Sequence, residues 1–121
     1  ASDYFMASLI TYSNEQKVNL AGVKEATLLN YGAVSEQTAI EMAEGGRNRL
    51  GVDYCISTTG IAGPNGGTVD KPVGTVWIAI SGSKGTIAKK FIFGSNRKRN
   101  IEMTCLSAMN LLRNFIFGYI Y

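Results

Sequence analysis

The chain has 121 residues, 45% hydrophobic and 17% charged, with 12 Lys and Arg against 9 Asp and Glu for a net charge of +3. One compact domain fits this length and a packed core fits this composition, which excludes a second domain and intrinsic disorder. Histidine is absent, which excludes Ser-His-Asp and Cys-His catalysis, histidine zinc sites and imidazole switching, and no apolar run reaches the roughly 18–20 residues of a bilayer span.

Residues 4–12, YFMASLITY, form an apolar run rich in aromatic and β-branched side chains, too short for a helix. They are expected to form a buried strand. Ser13-Asn14-Glu15-Gln16 fits the S-x-x-Q capping box, in which hydroxyl and amide side chains satisfy free backbone groups at a helix start. It predicts a short helix over 14–20, ended by Gly22, and a second over 24–30, with Leu28 and Leu29, closed by Gly32. Ser35 then precedes a helical run with Ile40, Ala43 and Leu50 on one face. Glu36 in its first turn and Arg47 and Arg49 in its last suit the helix dipole.

Gly51 stops that helix, and residues 52–59 read as a second strand. Residues 73–81 and 86–93 read as third and fourth strands joined by Gly82-Ser83-Lys84-Gly85 into a hairpin. A final helix over 96–117 sets Ile101, Cys105, Ala108, Leu112 and Phe115 at three- and four-residue spacing. Strands interleaved with helices imply an α/β sandwich, with the strands ending at Tyr12 and Thr59 as a parallel core pair and the hairpin at or near one edge.

Cys55 and Cys105 lie far apart in apolar contexts, so neither a CxxC site nor a disulfide framework is available, and both are expected as buried thiols in a reducing cytoplasm. The opening Ala-Ser-Asp, with no initiator Met and no charged-then-apolar leader, reads as a trimmed, processed or partial chain rather than a secreted one. Over residues 84–99 six basic side chains (Lys84, Lys89, Lys90, Arg97, Lys98 and Arg99) occur with no acid. This run is either a solvated face or a surface that draws anions. It lacks the spaced aromatics of a stacking platform, which argues against nucleic acid.

Five of the 14 glycines fall between Gly60 and Gly74. Glycines let backbone N–H groups approach a ligand closely, so such a loop at a strand end is either a phosphate or oxyanion cradle or simply a long tight connection. With no G-K-[ST] and a strand rather than a helix following, it is neither a Walker loop nor a dinucleotide fingerprint. Tyr12, Ser13 and Lys17 sit where the first strand passes into a capped helix. If the core pair is parallel, they share an edge with the glycine loop. Lys17 is then either an ordinary surface lysine or, shielded there, a general base with a lowered pKa.

The run Tyr12-Ser13-Asn14-Glu15-Gln16-Lys17, then Tyr31-Gly32-Ala33-Val34-Ser35, then Thr59-Gly60-Ile61-Ala62-Gly63-Pro64 with Gly66-Gly67-Thr68, and finally Lys71-Pro72-Val73-Gly74-Thr75-Val76, resembles the CinA C-terminal domain family, the nicotinamide-nucleotide amidohydrolases. The resemblance continues through Asn96-Arg97 and the last helix. It implies a three-layer α/β/α sandwich with a mixed sheet, formed by residues 1–121 as a single, N-terminally incomplete domain. The implied reaction is hydrolysis of nicotinamide mononucleotide to nicotinate mononucleotide and ammonia, in cytoplasmic pyridine-nucleotide salvage, with no cofactor and no metal.

In that family a serine attacks the carboxamide, a lysine is its base and a tyrosine assists, roles that fall on Lys17 and Tyr12 here and need no imidazole. The resemblance assigns substrate binding to Thr59, Gly60, Ile61, Ala62, Gly63 and Gly66, through backbone donors, and to Arg97, as a phosphate partner. The family serine lies in an E-S-x-T-G-G motif on a helix ahead of the strand ending at Tyr12, and the present sequence begins after it. Ser8, Ser13 and Ser57 stand outside such a context, so no nucleophile is assigned and this chain alone is expected to be inactive. The alternative is a non-catalytic nucleotide-binding or regulatory module. A sheet lacking its first helix would expose apolar surface, from which a homo-oligomer is expected.

Overall fold

The computed structural model describes residues 3–118. In order they form α1 (Asn14–Asn19), α2 (Glu25–Tyr31), α3 (Glu36–Leu50), β1 (Cys55–Gly60), β2 (Thr75–Gly82), β3 (Gly85–Ile92) and α4 (Arg97–Phe117). The sheet order is β1-β2-β3, and both pairings are antiparallel. Ser83 and Lys84 make a two-residue hairpin turn between the paired Gly82 and Gly85.

Strand β2 is apolar on both faces because both are covered. Val76, Ile78 and Ile80 pack with Ala108 and Leu111 of α4, extended by Ile56, Ile87, Phe91, Leu112 and Phe115. On the opposite face Ala79 meets Ala39 and Ala43 of α3, with Trp77 and Ala88 beside them. Alternation along a strand sends successive side chains to opposite faces, so α3 and α4 lie on opposite sides of the sheet.

Local chemistry sets the helix ends. The Ser13, Ser35 and Asn96 side chains accept from the Gln16, Thr38 and Arg99 N–H groups at 3.2, 3.2 and 3.0 Å, each satisfying a free first-turn donor. Gly51 closes α3 in the left-handed conformation. The start of α2 is held from outside: Glu41 on α3 accepts from the Lys24 N–H at 2.9 Å and from the Thr27 hydroxyl at 2.7 Å.

Three sequence expectations need correction. Residues 4–12 form no strand; Tyr4, Phe5, Met6 and Ile10 are exposed, and no parallel pair or mixed sheet exists among the described residues. Aromatic and β-branched residues fit a paired, half-buried surface rather than imposing an extended backbone, and residues 4–12 pair with no described strand. Next, Cys105 is exposed and Cys55 only half-buried. For Cys105 the cause is the third difference, a rotation of α4's inner face; Cys55 lies on the edge strand β1. Asn100, Ala108 and Leu111 are its buried residues, while Ile101 and Cys105 are exposed. Among the described residues no helix is long and apolar enough to cross a membrane.

Candidate functional site

Beyond β1 the chain makes a loop whose two ends are clamped side by side. The Ile61 N–H donates to the Thr75 carbonyl at 2.9 Å, and the Gly74 N–H donates back to the Ile61 carbonyl at 2.7 Å. Gly74 has φ +92° and lies against the Gly94 carbonyl, where a Cβ would collide, so only glycine fits there. The helices anchor the loop from both sides of the sheet. On the α2 and α3 side, the Thr59 hydroxyl donates to the Ala33 carbonyl and the Lys71 ammonium to the Tyr31 carbonyl, both at 2.7 Å. On the α4 side, the Arg97 guanidinium donates to the Gly63 carbonyl at 3.0 Å. The Asn100 amide N–H₂ donates to Ala62 O at 3.0 Å and Gly94 O at 2.8 Å, while its oxygen accepts from the Gly94 N–H at 3.0 Å. Between β1 and α4 lies a mostly apolar cavity of about 220 Å³, lined by Thr58, Gly60, Ala62, Val76, Asn100, Ile101, Thr104 and Cys105.

Lys17 occupies a different setting. It is only 9% exposed, and its ammonium donates to the Thr11 carbonyl at 2.7 Å. Burial, which penalises the charged form, holds its pKa below the usual 10.5. Tyr12, by contrast, is 93% exposed. A second cavity of about 470 Å³ lies between α1 and α2, lined by Asn14, Glu15, Val18, Asn19, Glu25, Leu28 and Leu29.

The structure therefore brings Thr59, Gly60, Ile61, Ala62, Gly63 and Arg97 into one assembly, with Gly66 exposed on the same loop. It does not join Lys17 or Tyr12 to them. No hydrogen bond among the described residues links either side chain to the loop, and no residue of α1 lines the loop's cavity. The shared edge inferred from sequence required residues 4–12 in the sheet, and that strand is not formed.

The serines have other occupations. Ser13 caps α1, Ser57 is buried and donates to the Ala39 carbonyl at 2.5 Å, and Ser8 is exposed outside any element. Burial raises the Cys55 pKa, favouring the thiol over the thiolate. Among the described residues no group of three or more Cys, Asp or Glu side chains could hold a metal ion. The basic run is divided: Lys89 lies over the Phe91 ring at 5.4 Å on the α4 side of β3, and strand alternation sends Lys90 to the opposite face.

Asn100 and Glu41 are the polar residues that sequence reasoning missed. For Asn100 a signal existed. Asn100, Thr104 and Leu111 fall at helical spacing with Ala108, each one residue before a member of the stripe chosen on hydrophobicity. Glu41 gave no local signal, since its partners lie 17 and 14 residues away.

Comparison with known proteins gives a consistent picture. Residues 1–116 match the family described as CinA C-terminal domain. The chain is 51% identical over 113 residues to a CinA-like protein of Endomicrobium trichonymphae, covering 93% of this chain and 26% of that protein. It is 48% identical over 121 residues to a CinA-like protein of Chloroherpeton thalassium, covering 96% of this chain and 29% of that one. The chain thus spans between a quarter and a third of these curated relatives. Among solved structures it resembles the competence/damage inducible protein CihA from Agrobacterium tumefaciens, with TM-score 0.82 and 38% identity over 84% of this chain and 63% of that one. It also resembles a competence-damaged protein (CinA) superfamily protein from Klebsiella pneumoniae, with TM-score 0.85 and 31% identity over 90% of this chain and 68% of that one.

Proposed function

The chain belongs to the CinA C-terminal domain family, and on that premise we propose that the intact protein hydrolyses the carboxamide of nicotinamide mononucleotide to nicotinate mononucleotide and ammonia. The observation that carries this reading is Lys17, a buried amine with a lowered pKa in a chain without histidine. Burial shifts Lys17 toward the neutral amine, a form that can give one N–H to the Thr11 carbonyl and keep its lone pair for a proton.

In the proposed reaction Lys17 takes the proton of an attacking serine hydroxyl, which the family's E-S-x-T-G-G helix, outside these residues, would supply. The oxyanion that forms on the carboxamide is met by backbone N–H groups of the glycine loop, which requires that the intact protein bring Lys17 and the loop together by pairing residues 4–12 with the open edge of β1. The Lys17 ammonium then protonates the carboxamide nitrogen, the C–N bond breaks, and ammonia leaves with the acyl-enzyme formed. Water, deprotonated by the same amine, hydrolyses the acyl-enzyme and restores the hydroxyl. Tyr12 assists Lys17, and Arg97 supports the loop and meets the phosphate. On this reading the three-layer, mixed-sheet form belongs to the intact protein, with the open edge of β1 as the place for a further strand. Homo-oligomerisation and a cytoplasmic location are part of the same proposal.

The test is ammonia release from nicotinamide mononucleotide by the intact protein; its absence overturns the reading. A second reading is favoured by the prior engagement of Ser13 and Ser57: these 121 residues act alone as a nucleotide-binding module, which binding without turnover would establish.

A further inference from the structure

One buried side chain of α4 holds the glycine loop at its first turn. Asn100 is 1% exposed, and its amide is committed to two carbonyls and one N–H. Those three partners fix which end of the amide is oxygen and which is nitrogen. They also fix the loop, because the carbonyl and the following N–H of a trans peptide point to opposite sides.

With the Ile61 carbonyl turned to the Gly74 N–H, the Ala62 N–H is directed away from Gly74. With the Ala62 carbonyl turned to Asn100, the Gly63 N–H is directed away from α4. Neither N–H has a partner among the described residues. Consecutive free backbone N–H groups of this kind bind anionic oxygen.

We infer that Asn100 is the positioning residue of this loop, turning the Ala62 carbonyl toward α4 so that the Gly63 N–H, next to the Ala62 N–H that the Ile61–Gly74 pair leaves free, is available to an anionic oxygen of the substrate. The inference rests on the nucleotide reading above for the identity of that oxygen, which belongs either to the phosphate or to the carboxamide as it becomes an oxyanion. Asn100 does not itself touch the substrate; it acts through the backbone. Arg97, bound to the next carbonyl, holds the loop from the same helix turn.

The experiment compares Asn100→Asp and Asn100→Ala in the intact protein with Ile80→Val, which weakens the core on the same sheet face without touching the loop. Asn100→Asp keeps the volume and the acceptor but removes both donors. Hydrogen exchange at the Ile61 and Gly74 amides should quicken by at least about tenfold in both Asn100 variants and not in the control. Wild-type exchange at those amides overturns the positioning role.

Affinity for nicotinamide mononucleotide should fall by at least about tenfold in Asn100→Asp, beyond any loss in Ile80→Val. Nicotinamide riboside, which lacks the phosphate, separates the sources. A loss shared by both ligands assigns the N–H groups to the carboxamide, and a loss confined to the mononucleotide assigns them to the phosphate. Unchanged affinity for both overturns the inference. If the wild-type protein binds neither ligand, the nucleotide reading falls, and the exchange measurement alone decides whether Asn100 positions the loop.

Discussion

The ammonium of Lys17 donates to the carbonyl oxygen of Thr11, six residues earlier, at 2.7 Å. This contact folds the segment before α1 back over the lysine side chain and covers the amine.

Replacing Lys17 should therefore affect chemistry far more than folding. In the intact protein Lys17→Ala is expected to lower kcat by at least about a hundredfold, the usual scale for a general base. Ammonia release at saturating nicotinamide mononucleotide measures it. Full activity in the variant would remove Lys17 from the mechanism.

The same burial predicts a pH dependence of stability. Below the folded-state pKa of Lys17 both folded and unfolded chains hold the proton, and the fold bears the whole cost of burying charge. Above it, and up to the unfolded value of 10.5, the unfolded chain binds more protons, so stability rises with pH and then levels off. Urea unfolding between pH 7 and 11 should show this rise in the wild type but not in Lys17→Met. Parallel curves for the two proteins would contradict it.

Much of the helical framework was legible because its signals are local. The Ser13, Ser35 and Gly51 boundaries each follow from one residue's hydrogen bonding or conformation, and the Gly82–Gly85 hairpin from its turn. Residues 4–12 misled because a strand is a relation between two segments, and composition describes only one of them. The candidate site was half legible. Glycine spacing marked the loop, but its anchors are side chains distant in sequence, and Asn100 sits 38 residues from its Ala62 partner.

Arg97 offers a test at the phosphate end. A phosphate taking one or two charge-assisted hydrogen bonds, worth about 1.5–3 kcal/mol each, should make nicotinamide mononucleotide bind at least about tenfold tighter than the riboside. In Arg97→Ala that preference should shrink. Calorimetry with both ligands checks it, and equal wild-type affinities would exclude a phosphate role.

Glu41 is expected to matter although it lies away from the loop. It caps α2 from another helix, so Glu41→Ala should cost about 1–2 kcal/mol, as the loss of a good N-cap does, and should expose the amides of α2 to exchange. Chemical denaturation with residue-resolved exchange measures both, and a variant as stable as the wild type would mean that water replaces the carboxylate without penalty.

The two thiols should be distinguishable. Cys105 is exposed, whereas Cys55 is half-buried with its pKa raised by burial, and the thiolate is the reactive form. A maleimide in modest excess at pH 7 should therefore label Cys105 first, as peptide mass spectrometry would show. Preferential labelling of Cys55 would contradict the burial.

The anchoring of the glycine loop by α4 also has a consequence for the order in which the protein comes into being. The loop leaves the ribosome before Gly94, Arg97 and Asn100, the residues that shape it from the α4 side. Synthesis runs from the N-terminus, so α3 and the first strand can gather while the loop still lacks half of its supports. The loop is thus among the last features to mature, and a nascent chain halted ahead of Arg97 would carry the loop's sequence without its shape. Protease cleavage within residues 61–73 of stalled and released chains would time that step.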